Sequence, residues 1–239
     1  MHDDSPAMIK SFTNLLMGRR ARMVNKSEET ALSLLNKIYD HVNAELVSKN
    51  DRVKLNMDED NFIYGEIVPA SFVRILERAS PQPGEVFYDL GSGSGKALLT
   101  AALHYDFSEV IGIELLPGLC QLANNLVFQA NEALASSHQA YADIYLRRLS
   151  SIKIVADNFH HQDISSADIV FINATCFSYG TWEKMIDSLE SIKNGSRVIV
   201  TSKKIKRDQF LLLDEGLDLM GWGMNSVNIY KKVRQVLIC

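Results

Sequence analysis

The apolar positions change period along the chain. Ala31, Leu35, Ile38, Val42 and Leu46 recur at helical spacing and mark one stripe of a helix over about 28–48. Ser27 precedes it as an N-cap, and Glu28 and Glu29 fall in the first turn, where the helix dipole favours anions. The acidic cluster Asp58, Glu59 and Asp60 ends that segment. From Phe62 onward, strand-like and helix-like runs alternate. Val68 to Arg78 reads as a helix stopped by Pro81, Pro83 and Gly84. Strands are expected at Glu85–Asp89, Val110–Glu114, Ile152–Ala156, Asp168–Asn173 and Ser196–Ser202. Between them lie helical patterns at Lys96–Tyr105, at Leu119–Tyr145 as one long helix or a pair, and at Trp182–Ile192. After Phe210–Asp214, the runs Leu217–Gly221 and Val227–Val233 are close enough to form an antiparallel hairpin edge. Strands alternating with helices demand right-handed crossovers and a parallel sheet. The expected fold is therefore doubly wound α/β. An N-terminal basic arm and helical segment occupies 1–60, and the main domain occupies 61–239.

Composition narrows the function classes. The formal net charge is −4, which argues against a purely electrostatic nucleic-acid binder. Two segments are locally basic: Lys10, Arg19, Arg20, Arg22 and Lys26 in the arm, and Lys203, Lys204, Lys206 and Arg207 after the fifth strand. Each reads first as solvated surface, and nucleic-acid contact through them is not expected to dominate. Cys120, Cys176 and Cys239 lie far apart, with no Cys/His cluster, so reduced thiols and no metal site are expected. Asp3, Asp4 and Lys10 interrupt the N-terminal apolar residues, unlike a secretory signal, and no apolar run is long enough to span a membrane. An intracellular location, nuclear or cytoplasmic, follows as the expectation.

The chemistry concentrates at Val86-Phe87-Tyr88-Asp89-Leu90-Gly91-Ser92-Gly93-Ser94-Gly95-Lys96, a strand, glycine loop and helix in succession. A dinucleotide fingerprint starting at Gly91 and Gly93 needs a third glycine where Lys96 stands. A phosphate-gripping Walker loop ending at Gly95-Lys96 needs glycine at Leu90 and a hydroxyl residue at Ala97. What remains, D-x-G-x-G-x-G, resembles the first motif of class I S-adenosylmethionine methyltransferases. An acid at this strand tip suits a ligand whose methionine end carries an ammonium. Glu114 ends the second strand, where a carboxylate accepts from ribose hydroxyls. Asp157 follows the third strand, next to Asn158 and Phe159; it is placed to accept from an adenine amino group, with Phe159 against the ring.

Further motifs make the chain similar to the disruptor-of-telomeric-silencing family, the histone-lysine methyltransferases without a SET domain. They are Tyr64-Gly65-Glu66, Asp89-Leu90-Gly91-Ser92-Gly93, Glu114, Asp157 with Phe159, Asn173 with Phe177, Arg197 to Lys203, and Trp222 with Tyr230, over about residues 62–232. The resemblance implies a seven-stranded Rossmann-like sheet and S-adenosylmethionine as donor, with S-adenosylhomocysteine as product. It also implies a protein substrate carrying an accessible lysine, a histone in that family. Glu66 would then contact the methionine end of the donor, Asn173 would line the catalytic channel, and Phe177, Trp222, Tyr230 and Tyr64 would border it. Three departures stand out: Lys96 replaces a glutamine, Asn173-Ala174 replaces an asparagine doublet, and a long basic nucleosome-gripping tail is missing.

The reaction so implied needs a neutral amine aligned with a sulfonium and shielded from water. Alignment alone supplies about 7–11 kcal/mol. An apolar channel beside a cation lowers a lysine from its solution pKa of about 10.4. Asn173 offers a carbonyl to orient the amine. Two other functions compete: methylation of RNA or a small molecule, and a non-catalytic module that binds the cofactor and a protein partner.

Overall fold

Runs such as Val198-Ile199-Val200 are apolar at every position, the signature of a strand covered on both faces. The computed structural model describes residues 29–57, 64–137 and 141–234. Its sheet has seven strands: β1 (Val86–Leu90), β2 (Glu109–Glu114), β3 (Ile152–Ala156), β4 (Ile169–Asn173), β5 (Arg197–Thr201), β6 (Phe210–Met220) and β7 (Gly223–Lys232). They lie in the order β3-β2-β1-β4-β5-β7-β6. The first five are parallel; β7 is antiparallel to both β5 and β6. Helices cover both faces. On one face pack α1 (29–39), α3 (Pro69–Arg78), α4 (Lys96–His104), α5 (Pro117–Ala135) and α6 (Ala142–Leu149), around Leu35, Phe72, Leu99, Leu126 and Tyr145. On the other, α7 (Tyr179–Ser188) buries Trp182, Met185 and Ile186 against Val170, Val198 and Val200. The doubly wound α/β fold with an antiparallel hairpin edge is thus the observed one.

Two boundaries differ from the sequence pattern, and a third choice left open by it is settled. The single helix over 28–48 breaks at 40–43, and α2 (Ala44–Lys54) starts afresh under Asn43, whose Oδ1 accepts from Leu46 N at 3.0 Å. Ala31, Leu35 and Ile38 are buried as expected, but Leu46 lies half exposed beyond the break. The apolar period ran through a side chain that caps better than it propagates. The pattern at Leu119–Tyr145 is a helix pair, α5 and α6. Phe210–Asp214 and Leu217–Gly221 are one strand, β6, with a register shift between Leu212 and Asp214 that a two-residue period cannot express. The N-terminal basic arm, Ser27, the Asp58–Asp60 cluster and Cys239 lie outside the described residues. Among the described residues no helix is long and apolar enough to cross a membrane, and no group of His, Cys, Asp or Glu side chains is arranged to hold a metal.

Strand order reverses between β1 and β4, which opens a crevice at the carboxyl ends of the strands. Leu90, Glu114, Ala156, Asn173 and Thr201 end the five parallel strands at that edge.

Candidate functional site

The floor of the crevice is the turn from β1 into α4. Gly93 takes a left-handed φ of 55°, and a Cβ there would stand 3.0 Å from the Tyr64 hydroxyl oxygen. Its N–H donates to Glu114 Oε2 at 2.8 Å, while Leu116 N donates to Oε1 at 2.9 Å. Asp89, only 2% exposed, stands beside this pair. Its Oδ1 and the Ser92 hydroxyl are buried without a hydrogen-bond partner. Burial, reinforced by the nearby Glu114 charge, pushes the Asp89 carboxyl well above its usual range. Burial also raises Glu114, against the lowering effect of its backbone donors. Unpartnered buried acceptors and raised carboxyls are costly, and a ligand supplying an ammonium and hydroxyls relieves both.

A strap, Tyr64 to Ile67, crosses above this floor. Glu66 is its anchor: one carboxylate oxygen accepts from Tyr64 OH at 2.5 Å and from Ser94 Oγ, and the other pairs with the Lys96 ammonium. Lys96 Nζ also lies 4.5 Å from the centre of the Tyr39 ring, and the Tyr39 hydroxyl donates to Ser94 O at 3.0 Å. Burial, then the Glu66 charge, raises the Tyr64 phenol far above its ordinary value, so Tyr64 stays a donor. The far side of the strap is tied to the hairpin tip: Gly221 N donates to Glu66 O at 2.9 Å, and Ile67 bridges Met220. Trp222 lies flat against Gly65, where a Cβ would come within 2.6 Å of the indole. Only glycine admits the ring there.

Asn173 closes the strap from below. Its Nδ2 donates to Gly65 O at 3.0 Å, and its Oδ1 accepts from Thr201 Oγ1 at 2.7 Å and Thr175 Oγ1 at 2.9 Å. Both lone pairs of that carbonyl are therefore occupied. The expectation that it accepts from an incoming amine is corrected accordingly: Asn173 lines the crevice but spends its polar atoms on holding the strap. Thr175 also meets Ser202 Oγ at 2.8 Å, and Ser202 keeps a left-handed φ of 64°.

These elements enclose one cavity of about 690 Å³. Tyr64, Glu66, Asp89, Gly91, Ser92, Gly93, Lys96, Glu114, Asn158, Phe159, Asn173, Phe177 and Trp222 all line it. Phe159 and Phe177 stack with ring centres 6.1 Å apart. Three expected residues do not line it. Gly95 caps α4 and packs toward Ala123 of α5. Asp157 turns back on its own loop, accepting from Asn158 N at 2.6 Å and Gln162 Nε2 at 2.7 Å, with His161 beside it; these bonds hold its carboxyl below the usual range and leave Asn158 and Phe159 as the wall. Tyr230 is buried on the α7 face of β7, and its hydroxyl accepts from Ile205 N at 3.2 Å. It pairs with Val198, three residues below the strand tip at Thr201, too deep in the sheet to wall a channel at that edge.

Several contributors escaped the sequence reading. Asp51 of α2 accepts from Gly118 N at the first turn of α5, next to the Glu114 loop. Tyr39, Thr175 and the cavity-lining His160, Thr181 and Lys184 carry no motif, and Thr201, within the Arg197 to Lys203 run, had no role assigned to it. Burial lowers the His160 imidazole, with Lys184 adding to it.

Comparison with known proteins gives the family and the fold. The family model described as "Histone methylation protein DOT1" matches residues 29–230. A curated relative from Yarrowia lipolytica, named histone-lysine N-methyltransferase, H3 lysine-79 specific, is 28% identical over 72% of this chain and 34% of its own length. One of the same name from Drosophila melanogaster is 25% identical over 70% of this chain and 9% of its own. The chain thus spans about a third or less of these relatives. Among solved structures, TrmN from Thermus thermophilus matches with a TM-score of 0.54 at 19% identity, over 69% of this chain and 49% of that one. An RNA methyltransferase from Salinibacter ruber, in complex with S-adenosyl-L-homocysteine, matches at 0.51 and 22%, over 71% of this chain and 95% of that one. These structural likenesses carry the fold alone. With its strand order, its strap over a glycine-floored crevice and the match across 29–230, the chain belongs to the Dot1 histone methylation family.

Proposed function

We propose that this chain is an S-adenosylmethionine-dependent protein-lysine methyltransferase with histones as its substrate class. The observation that carries the reading is the crevice floor, where Asp89 Oδ1 and the Ser92 hydroxyl lie buried and unpartnered beside Glu114, under a strap anchored by Glu66. The curated relatives named as H3 lysine-79 methyltransferases support the substrate class.

Asp89 and Glu66 would hold the methionine end of the donor, Glu114 its ribose, and Asn158 and Phe159 its adenine. When bound, the donor supplies a methyl group on a sulfonium. The chain's own residues do the rest. Phe177 and Trp222 give the acceptor an apolar wall and exclude water, which disfavours the ammonium form of a lysine. Asn173 fixes the strap through Gly65, so that the wall and the floor keep their spacing. No dedicated base is required once the amine arrives neutral. Such an activity belongs inside the cell, in nucleus or cytoplasm, and basic segments such as Lys203 to Arg207 add at most a secondary nucleic-acid contact.

The test is incubation of the full chain with labelled S-adenosylmethionine and either free histones or nucleosomes, followed by mass spectrometry of the digest. Methyllysine in a histone, lost in Gly93→Arg, is the expected result. Label in RNA or small molecules alone, or none with the donor demonstrably bound, refutes the reading.

A further inference from the structure

Half of the exposed large apolar side chains among the described residues fall between 211 and 224, on the β6–β7 hairpin. Four of them share one sheet face. Leu219 pairs across the hairpin with Met224, Leu217 with Ser226 and Leu212 with Tyr230, so alternation places Leu212, Leu217, Leu219 and Met224 on the side where α7 covers β4 and β5. Beyond α7 and the loop after β5, no described residue covers that side: Leu217 is 68% exposed and Met224 63%. β6 is also the last strand of the sheet. A contiguous apolar face on an open edge is rarely left uncovered in a soluble protein, and an open edge accepts an added strand.

The charges around the face say what covers it. Glu215 is neutralised by Lys204 at 2.7 Å, and Arg207 by Glu183 at 2.8 Å. On the opposite face, Arg78 engages both Asp214 and Asp218. Lys203 and Lys206 have no carboxylate within ion-pair distance among the described residues, and against them in that loop stands Asp208 alone. Lys203 follows Ser202, whose hydroxyl meets the cavity-lining Thr175 at 2.8 Å, so this basic loop leads from the hairpin face to the cavity. A second copy laid face to face would bring leucines to leucines, but the face's own Glu215 and Glu183 are already paired with Lys204 and Arg207. Duplex DNA would satisfy the lysines but give the leucines nothing to pack on.

We infer that the β6–β7 face is a docking strip for an extended protein segment that alternates apolar and acidic side chains, laid along β6. Its apolar residues cover Leu212, Leu217, Leu219 and Met224, and its carboxylates reach Lys203 and Lys206. Trp222, at the hairpin tip, joins this strip to the cavity. The inference does not require the chain to be an active methyltransferase, since it concerns binding outside the crevice.

Panning a random peptide library on the full chain tests it, followed by fluorescence anisotropy of the selected peptides. Enrichment of alternating apolar and acidic peptides is expected. Binding should weaken about tenfold or more, or 1.4 kcal/mol, in the Leu217→Asp/Leu219→Asp double variant. The Lys203→Glu/Lys206→Glu variant, which leaves the hairpin untouched, should weaken binding about tenfold, and the binding that remains should lose its dependence on salt. Failure to enrich any peptide, enrichment of basic peptides, or binding that survives both variants overturns the inference. So does a wild-type dimer that sedimentation shows dissolved by Leu217→Asp, or duplex DNA as the only ligand sensitive to these substitutions.

Discussion

Replacing Asp89 by Asn removes one charge and leaves the side-chain shape intact. Asp89 is nearly fully buried, its Oδ1 meets no donor, and Glu114 adds a second negative group, so its carboxyl is raised in the folded protein. A raised carboxyl binds protons more tightly folded than unfolded. Its contribution is therefore most favourable below the unfolded pKa of about 4 and turns against folding as pH rises through the folded value. Asn carries no such penalty. Without ligand, Asp89→Asn should melt higher than wild type at neutral pH, and the difference should vanish near pH ~4. Relief of an unsatisfied buried charge is worth about 1–3 kcal/mol, and each kcal/mol is about 2–4 °C for a domain of this size. Binding moves the other way. Losing a charge-assisted hydrogen bond of about 1.5–3 kcal/mol weakens S-adenosylhomocysteine about 10–150-fold. A ligand ammonium beside Asp89 also lowers its pKa. Wild-type affinity should thus rise with pH more steeply than the variant's. Scanning calorimetry across pH and titration calorimetry with S-adenosylhomocysteine check both halves. Unchanged affinity, or a variant less stable at neutral pH, refutes the placement of Asp89 as the buried ammonium acceptor.

Other substitutions probe the strap and its surroundings. Thr201→Val deletes the 2.7 Å donor to Asn173 Oδ1 and should cost about 0.5–1.5 kcal/mol; methyl transfer should fall while product affinity holds, and Thr201→Ser should restore both rate and melting temperature. Gly65→Ala drives a methyl to 2.6 Å from Trp222, an overpacking cost of about 1–3 kcal/mol; an altered tryptophan emission with a lowered melting temperature is expected, and an unchanged spectrum refutes the packing. Tyr230→Phe loses the bond from Ile205 N, worth about 0.5–1.5 kcal/mol, and should leave turnover alone; a loss of turnover in a folded variant would return Tyr230 to the channel.

The sequence by itself determined the sheet and its floor. Periods of two and 3.6 residues are local, and Asp89, Gly91, Gly93 and Glu114 occupy strand ends and a turn whose chemistry is read within a few residues. Family likeness located Glu66, Asn173, Phe177 and Trp222, which the fold then gathers from three separate segments into one cavity. What Asn173 does there was decided by tertiary structure alone, because its partners Gly65 and Thr201 lie 108 and 28 residues away. The same holds for the depth of Tyr230 in β7 and for the open leucine face of the hairpin. Each depends on which neighbour takes a hydrogen bond or covers a face across space, and one-dimensional spacing carries no record of that choice.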